Sequence, residues 1–168
     1  PAPGSRITRC RWPWPTSSTP TASCCAATEE KIIDPNGPGQ PGGVADAAVA
    51  LISQRESVFL DSSTTSYFVA RRILEVGIEV TLLTNSLPVM QLIGAQAPAN
   101  VDLVAVGGLL RRLTLSFVGP YAVHTVQGYF ADRAFLSVKA LTENGILADA
   151  DPLEAEVKRA MVGQAGEP

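Results

Sequence analysis

Four short apolar runs constrain this chain more than any other feature: "SVFL" (57–60), "IEVTLLT" (78–84), "VDLVAV" (101–106) and "RAFLSV" (133–138). Each is too short for an ordinary helix and rich in branched side chains, and the segments between them carry apolar residues with a helical period. "VADAAVALISQR" places Val44, Ala47, Ala48, Leu51 and Ile52 on one helical face, and "TSYFVARRILEV" does the same with Val69, Ala70, Ile73 and Leu74. "SLPVMQLIGA" has Ser86 as its N-cap and Pro88 in the first turn, where a missing N–H costs little. "PYAVHTVQGY" is also helical, and "DPLEAEVKRAMVGQA" is a closing helix with Asp151 as N-cap and Pro152 at the first helical position. Strands that alternate with helices through short connections predict an α/β fold, an open and mostly parallel sheet with helices on both faces.

Ligands of such sheets bind beyond the carboxyl ends of the strands. Those ends read "LDSSTT", "LLTNS", "AVGG" and "SVKALTENG", all polar and all able to converge. Ser62, Ser63, Thr64 and Thr65 are poor core material. Their hydroxyls and backbone N–H groups suit an anion at the N-terminus of the helix that follows. Asp61 is placed to accept from a sugar hydroxyl or to cap that helix.

The first 43 residues are a different kind of sequence. They hold all three cysteines (Cys10, Cys24, Cys25), both tryptophans and eight of the thirteen prolines, with no helical or alternating period. Composition predicts a disordered segment and linker over residues 1–43 and a folded domain over 44–168. Cys24 and Cys25 are adjacent, without the two-residue spacer of a zinc or redox pair, and read as incidental thiols. A net charge of −3 and the lack of a basic recognition helix exclude direct DNA binding through the domain. No apolar run reaches membrane-spanning length and no secretory leader is legible, so a cytoplasmic protein is expected. His124 has no nucleophile near it in the sequence and reads as a helix-surface residue. The alternating charges of "EAEVK" read as a solvated helix face.

"FLDSSTT", "LLTNSLPVM", "VAVGGLLRR" with "FVGPYA", and "DRAFLSVKALTENGILADADPLEAEVKRAM" resemble, in order and spacing, the C-terminal sensor domain of DeoR-type transcriptional regulators. The resemblance covers residues 44–161. It implies a fold similar to ribose-phosphate isomerases and an effector that is a phosphorylated sugar or related metabolite. It also implies a homo-oligomer in the intact regulator, DNA contact only through a helix-turn-helix that this chain lacks, and no cofactor. Carried onto this sequence, the effector residues are Asp61, Ser62, Ser63, Thr64, Thr65, Thr84, Asn85, Ser86, Gly107 and Gly108, with Lys139 in a bordering loop. The family usually has glycine where this chain has Ser63, and a side chain there would obstruct a phosphate if the position needed a positive φ. The family also continues past "MVGQAGEP" into a further strand. The expectation is therefore a sensor domain truncated at both ends and lacking its final strand, with residues 1–43 read from the wrong frame. Two alternatives remain open: a sugar-phosphate isomerase, with Asp132 or Glu154 as the acid in reach, and a non-functional fragment.

Overall fold

The computed structural model describes residues 8–9, 41–141 and 147–167. Most of the expected N-terminal disorder, and all three cysteines, therefore lie outside the described residues. The chain order is β1 (Thr8–Arg9), α1 (Pro41–Val49), β2 (Ser57–Leu60), α2 (Thr64–Val76), β3 (Val80–Thr84), α3 (Leu87–Gln96), β4 (Val101–Ala105), β5 (Leu109–Arg111), β6 (Ser116–Val118), α4 (Pro120–Gln127), β7 (Ala131–Phe135), β8 (Ala140–Leu141), β9 (Leu147–Asp149), α5 (Pro152–Gly163) and β10 (Ala165–Glu167).

Five strands form one sheet in the order β10-β7-β2-β3-β4, with every neighbouring pair parallel. The short apolar runs are explained by burial on two faces. Along β2, Val58 and Leu60 join a core with Val69, Ile73, Leu82 and Ile93, which α1, α2 and α3 cover. Phe59, between them, faces a second core with Leu83, Val126, Val157 and Met161, which α4 and α5 cover. A strand with a helical layer on each side has no solvent face and so no polar alternation.

The chain leaves central β2 toward β3 and β4, then returns to the other side of β2 for β7 and β10. The order therefore reverses at the β2–β7 pair, the place where an open sheet leaves a crevice at its carboxyl edge. Two small antiparallel elements flank this edge: the β5–β6 hairpin, and a sheet of order β1-β9-β8.

Several boundaries differ from the sequence reading. The first helix starts at Pro41, inside the expected linker, and ends at Val49, so Leu51 is exposed while Ile52 alone turns inward. The closing helix ends at Gly163 rather than Ala165, and Ala165–Glu167 pair with β7 as a short strand. "LTLSFVG" (113–119), too short to show a period, supplies β6. Two- and three-residue strands are too short to show an alternation. No helix among the described residues is long and apolar enough to cross a membrane.

Candidate functional site

Asp61 follows β2 directly, and its side chain is only 1% exposed. One carboxylate oxygen accepts from the Ser63 N–H (3.0 Å) and the Ser66 hydroxyl (2.6 Å). The other accepts from the Ser137 N–H (2.8 Å). Asp61 thus ties the β2 turn to the segment after β7, across the point where strand order reverses. Its oxygens are taken by the protein's own donors, which leaves little basis for an acceptor role toward a sugar hydroxyl.

The cap of α2 is Ser63. It has φ −78° and ψ 158°, and its hydroxyl oxygen accepts from the Ser66 N–H at 3.1 Å. The expectation that serine obstructs a glycine position is therefore corrected. An N-cap takes extended angles open to any residue, and serine is among the best there because its oxygen serves an orphan first-turn donor. Thr64 and Thr65 open the helix, and their N–H groups have no partner among the described residues. Thr64 is exposed, while Ser62 and Thr65 are half-buried.

The second turn, Thr84 to Ser86, is wholly buried. The Thr84 hydroxyl oxygen accepts from the Ser86 N–H at 3.0 Å. Asn85 pairs with Phe117 twice: its carbonyl accepts from the Phe117 N–H at 2.8 Å, and its Nδ2 donates to the Phe117 carbonyl at 3.0 Å. Asn85 Oδ1 is buried with no partner, alone in this respect among the side-chain polar atoms of the described residues. Ser86 occupies the N-cap position of α3 as expected, but its side chain makes no capping bond. The Ser86 backbone forms an antiparallel bridge with Ser116, through Leu87 N–H to the Leu115 carbonyl and Phe117 N–H to the Asn85 carbonyl, so the β5–β6 hairpin lies against this turn.

The two glycines divide. Gly108 has φ +149°, and a Cβ there would lie 2.7 Å from the Val118 carbonyl and 3.2 Å from the Ala122 Cβ, whereas Gly107 faces open space. Gly108 is required for packing against the start of α4. Lys139 is exposed, and its N–H donates to the Ala148 carbonyl at 3.0 Å. Residues 142–146, which follow it in the expected bordering loop, lie outside the described residues.

The "EAEVK" segment is not a solvated face. Glu154 is 4% exposed and accepts from the Thr114 hydroxyl (2.8 Å), the Ser62 hydroxyl (3.3 Å) and the Ser116 hydroxyl, with Arg111 3.9 Å away. Arg111 also pairs with Asp151 at 3.0 Å, while Asp151 caps α5 through the Leu153 and Glu154 N–H groups. Lys158 Nζ donates to Asp149 Oδ2 (2.5 Å) and the Ser137 carbonyl (2.7 Å) and lies 3.5 Å from Asp61. Burial pulls the Lys158 ammonium down, but Asp61, Asp149 and Glu154 outweigh it, and the net pKa lies above that of an ordinary lysine. One signal was available: Glu154, Val157, Lys158 and Met161 share the i, i+3, i+4, i+7 stripe, so the apolar members imply that the charged ones also turn inward.

Asp132, the other acid of the isomerase alternative, sits at the opposite edge of the sheet. At the start of β7, its carboxylate accepts from the N–H (2.8 Å) and hydroxyl (2.7 Å) of Ser57, the first residue of β2. Those two bonds hold it below the usual carboxylate range. His124 is exposed in the last turn of α4, as its sequence context suggests.

The family described as the DeoR C-terminal sensor domain matches residues 42–167. The chain belongs to this family. Among its relatives is the putative aga operon transcriptional repressor of Escherichia coli O157:H7, 38% identical over 120 residues, covering 70% of this chain and 43% of that protein. The HTH-type transcriptional regulator IolR of Bacillus subtilis (strain 168) is 33% identical over 124 residues, 74% of this chain and 48% of the relative. An uncharacterized HTH-type regulator of the same organism, YulB, is 28% identical over 119 residues, 71% and 45% of the two chains. The chain thus spans about half the length of the curated relatives it matches.

In this DeoR sensor domain the carboxyl edge has a clear division of labour. Asp61, Asp149, Asp151 and Glu154 each hold donors from the protein itself. Among the described residues, the first N–H groups of α2 and the buried Asn85 Oδ1 have no hydrogen-bond partner. Among the described residues no cluster of histidine, cysteine or acidic side chains could hold a metal ion.

Proposed function

We propose that this sensor domain binds a phosphorylated sugar or closely related metabolite at the carboxyl edge of its sheet and serves as the effector-reading part of a transcriptional regulator. The observation that carries the reading is the N-terminus of α2, whose Thr64 and Thr65 N–H groups have no partner among the described residues and lie beside the hydroxyls of Ser62 to Thr65. A helix start with free N–H groups favours an anion, through both hydrogen bonding and the helix dipole. Ser62 to Thr65 hold the phosphate, Asp61 and Glu154 fix the turns around it, and Thr84 to Ser86 line the sugar side. Lys139 adds positive charge at the rim. Relatives described as an L-fucose operon activator of Escherichia coli (strain K12) and a lactose phosphotransferase system repressor of Lactococcus lactis support a sugar-linked effector.

In this reading the sensor unit includes α1 through β10, and DNA is read by a helix-turn-helix elsewhere in the regulator. The regulator works in the cytoplasm as a homo-oligomer. The domain binds without turnover. A general base must reach the substrate carbon, but Asp132 is at the wrong edge and Glu154 is committed to hydroxyls of Ser62, Thr114 and Ser116.

Thermal denaturation of the full chain with glucose 6-phosphate, fructose 6-phosphate and ribose 5-phosphate, against the parent sugars, tests this. A ligand that binds only the folded state raises its stability. At least one phosphate should raise Tm while its parent sugar does not; equal shifts from sugar and sugar phosphate would overturn the phosphate role of the α2 turn. Conversion of ribose 5-phosphate, followed by NMR, would overturn the non-enzymatic reading.

A further inference from the structure

We infer that β4 is the contact through which two copies of this domain join, their edge strands pairing antiparallel about a twofold axis at Leu103 so that the two sheets become one. The inference rests on the homo-oligomer part of the proposed function, to which it adds the surface, and is independent of the effector. In the described sheet β4 has β3 on one side and no strand on the other. The Val106 N–H donates to the Thr84 carbonyl and the Val80 N–H to the Asn100 carbonyl, so the even-numbered residues of this segment turn their backbone groups toward β3. Val101, Leu103 and Ala105 therefore turn theirs outward, where they have no backbone partner among the described residues.

An open edge with unpaired N–H and C=O groups is normally blunted by lysine, proline, a bulge or a very short strand. β4 has none of these: its five residues, VDLVA, pair one for one with β3. The opposite edge, β10, is only three residues long. Burial points the same way. Leu82 and Leu83, inside the sheet, are 0% and 1% exposed, whereas their register partners Leu103 and Val104 are only partly buried, one against each core. A strand beyond β4 would cover both.

The partner is a second copy because this edge is complementary to itself. With the axis at Leu103, Val101 faces Ala105 of the partner subunit and each Leu103 faces its own counterpart, so every outward N–H and C=O of the strand meets its opposite. Asp102, the only charge on the strand, then faces Val104 of the partner subunit. An axis at Asp102 would set two carboxylates directly opposite, which is destabilising, and an axis nearer either end leaves outward groups of the strand unmatched. Strand pairing alone buries less than the roughly 800 Å² per partner of a standard interface. The β5–β6 hairpin, close after β4 in the chain, supplies further apolar surface: Leu109 is 66% and Leu113 83% exposed.

Sedimentation of the full chain across a wide concentration range, for wild type and Ala105→Pro, tests the contact. Ala105 is exposed, and proline is tolerated where an edge residue turns its N–H outward, so the variant keeps its fold while losing a donor at the joint. Wild type should sediment as a dimer or an even multiple of it. The variant's dimer dissociation constant should rise roughly tenfold or more, the worth of the two symmetry-related hydrogen bonds lost. Register is read by cysteine, with Cys10→Ser, Cys24→Ser and Cys25→Ser in place. Leu103→Cys should give a disulfide-linked dimer on mild oxidation, because directly opposite Cα atoms lie about 5.5 Å apart. Asp102→Cys should not, since its own counterpart is two positions away, beyond about 7 Å. Should Ala105→Pro fail to fold, the cysteine comparison decides alone. An oligomer of unchanged affinity in Ala105→Pro, or no preference for Leu103→Cys over Asp102→Cys in cross-linking, overturns the assignment and leaves the homo-oligomer to another surface. A monomer at every concentration overturns the homo-oligomer reading as well.

Discussion

Lys158→Met is the sharpest test of how the carboxyl edge is held. The ammonium ties together Asp149, the Ser137 carbonyl and Asp61 while only 12% of the side chain is exposed. Methionine is about as long and fills the same channel, so the loss is electrostatic and not a cavity. Removing one partner of a buried pair typically costs about 3–5 kcal/mol, because the other charge stays buried without compensation. The lower end applies here. Asp61 keeps its Ser63, Ser66 and Ser137 donors, whereas among the described residues Asp149 keeps only the Asp151 N–H at 3.4 Å. A loss of about 3 kcal/mol at neutral pH is expected by urea denaturation, a large share of the roughly 5–15 kcal/mol that holds a typical domain. Adding Asp149→Asn should recover part of it, since the two residues are in contact and their effects do not add. A loss below about 1 kcal/mol, with no recovery in the double variant, would refute the account of Lys158 as a buried tie.

Other perturbations separate the remaining claims. Gly108→Ala should cost roughly 1–3 kcal/mol in denaturant titration, because its Cβ would meet the Val118 carbonyl at 2.7 Å, while Gly107→Ala should be close to neutral. Ser63→Ala should lower stability by about 1 kcal/mol through loss of the cap, and Ser63→Gly by a few tenths without strengthening ligand binding; tighter phosphate binding by the glycine variant would restore the obstructed-turn reading. On the acid side, Asp132 and Glu56 are held below their ordinary values, by Ser57 and Arg133 respectively. Their contributions are present above about pH 4 and are lost as pH falls through the folded pKa values, which a Tm–pH profile registers. On the alkaline side the raised Lys158 contributes fully below its unfolded pKa, near about 10.4, and loses that contribution as pH rises through the folded value; an unchanged profile in Lys158→Met there would contradict it.

The α/β fold was legible because β2, β3 and β4 are apolar on consecutive residues and the helices between them carry one clear stripe. Burying both faces of the sheet leaves that pattern in any order of strands. The polar strand ends were legible as well, and so was the cap at Asp151, since serine, threonine and aspartate ahead of a helical stripe have few other uses. The β5–β6 and β8–β9 hairpins were not. Strands of two or three residues carry too few positions for a period, and what holds β5–β6 in place, the contact of Ser116 with Ser86 and Glu154, joins residues far apart in the chain.

What the sequence determined by itself is the layered sheet, the carboxyl edge as the polar edge, and a likeness of motifs that the family match sustains. Which of the polar residues keep hydrogen-bonding capacity to spare was decided only by tertiary structure. Asp61 read as an acceptor for the effector, but Ser137 and Lys158, reaching it from 76 and 97 residues later in the chain, hold its outer oxygen. Glu154 and Lys158 read as surface charges and are buried among hydroxyls and carboxylates. A residue type states how many hydrogen bonds a side chain can make, and local spacing shows which neighbours along the chain can meet some of them. Whether any capacity is left for a ligand depends on partners from distant segments, and at Asn85 that sum leaves one acceptor over.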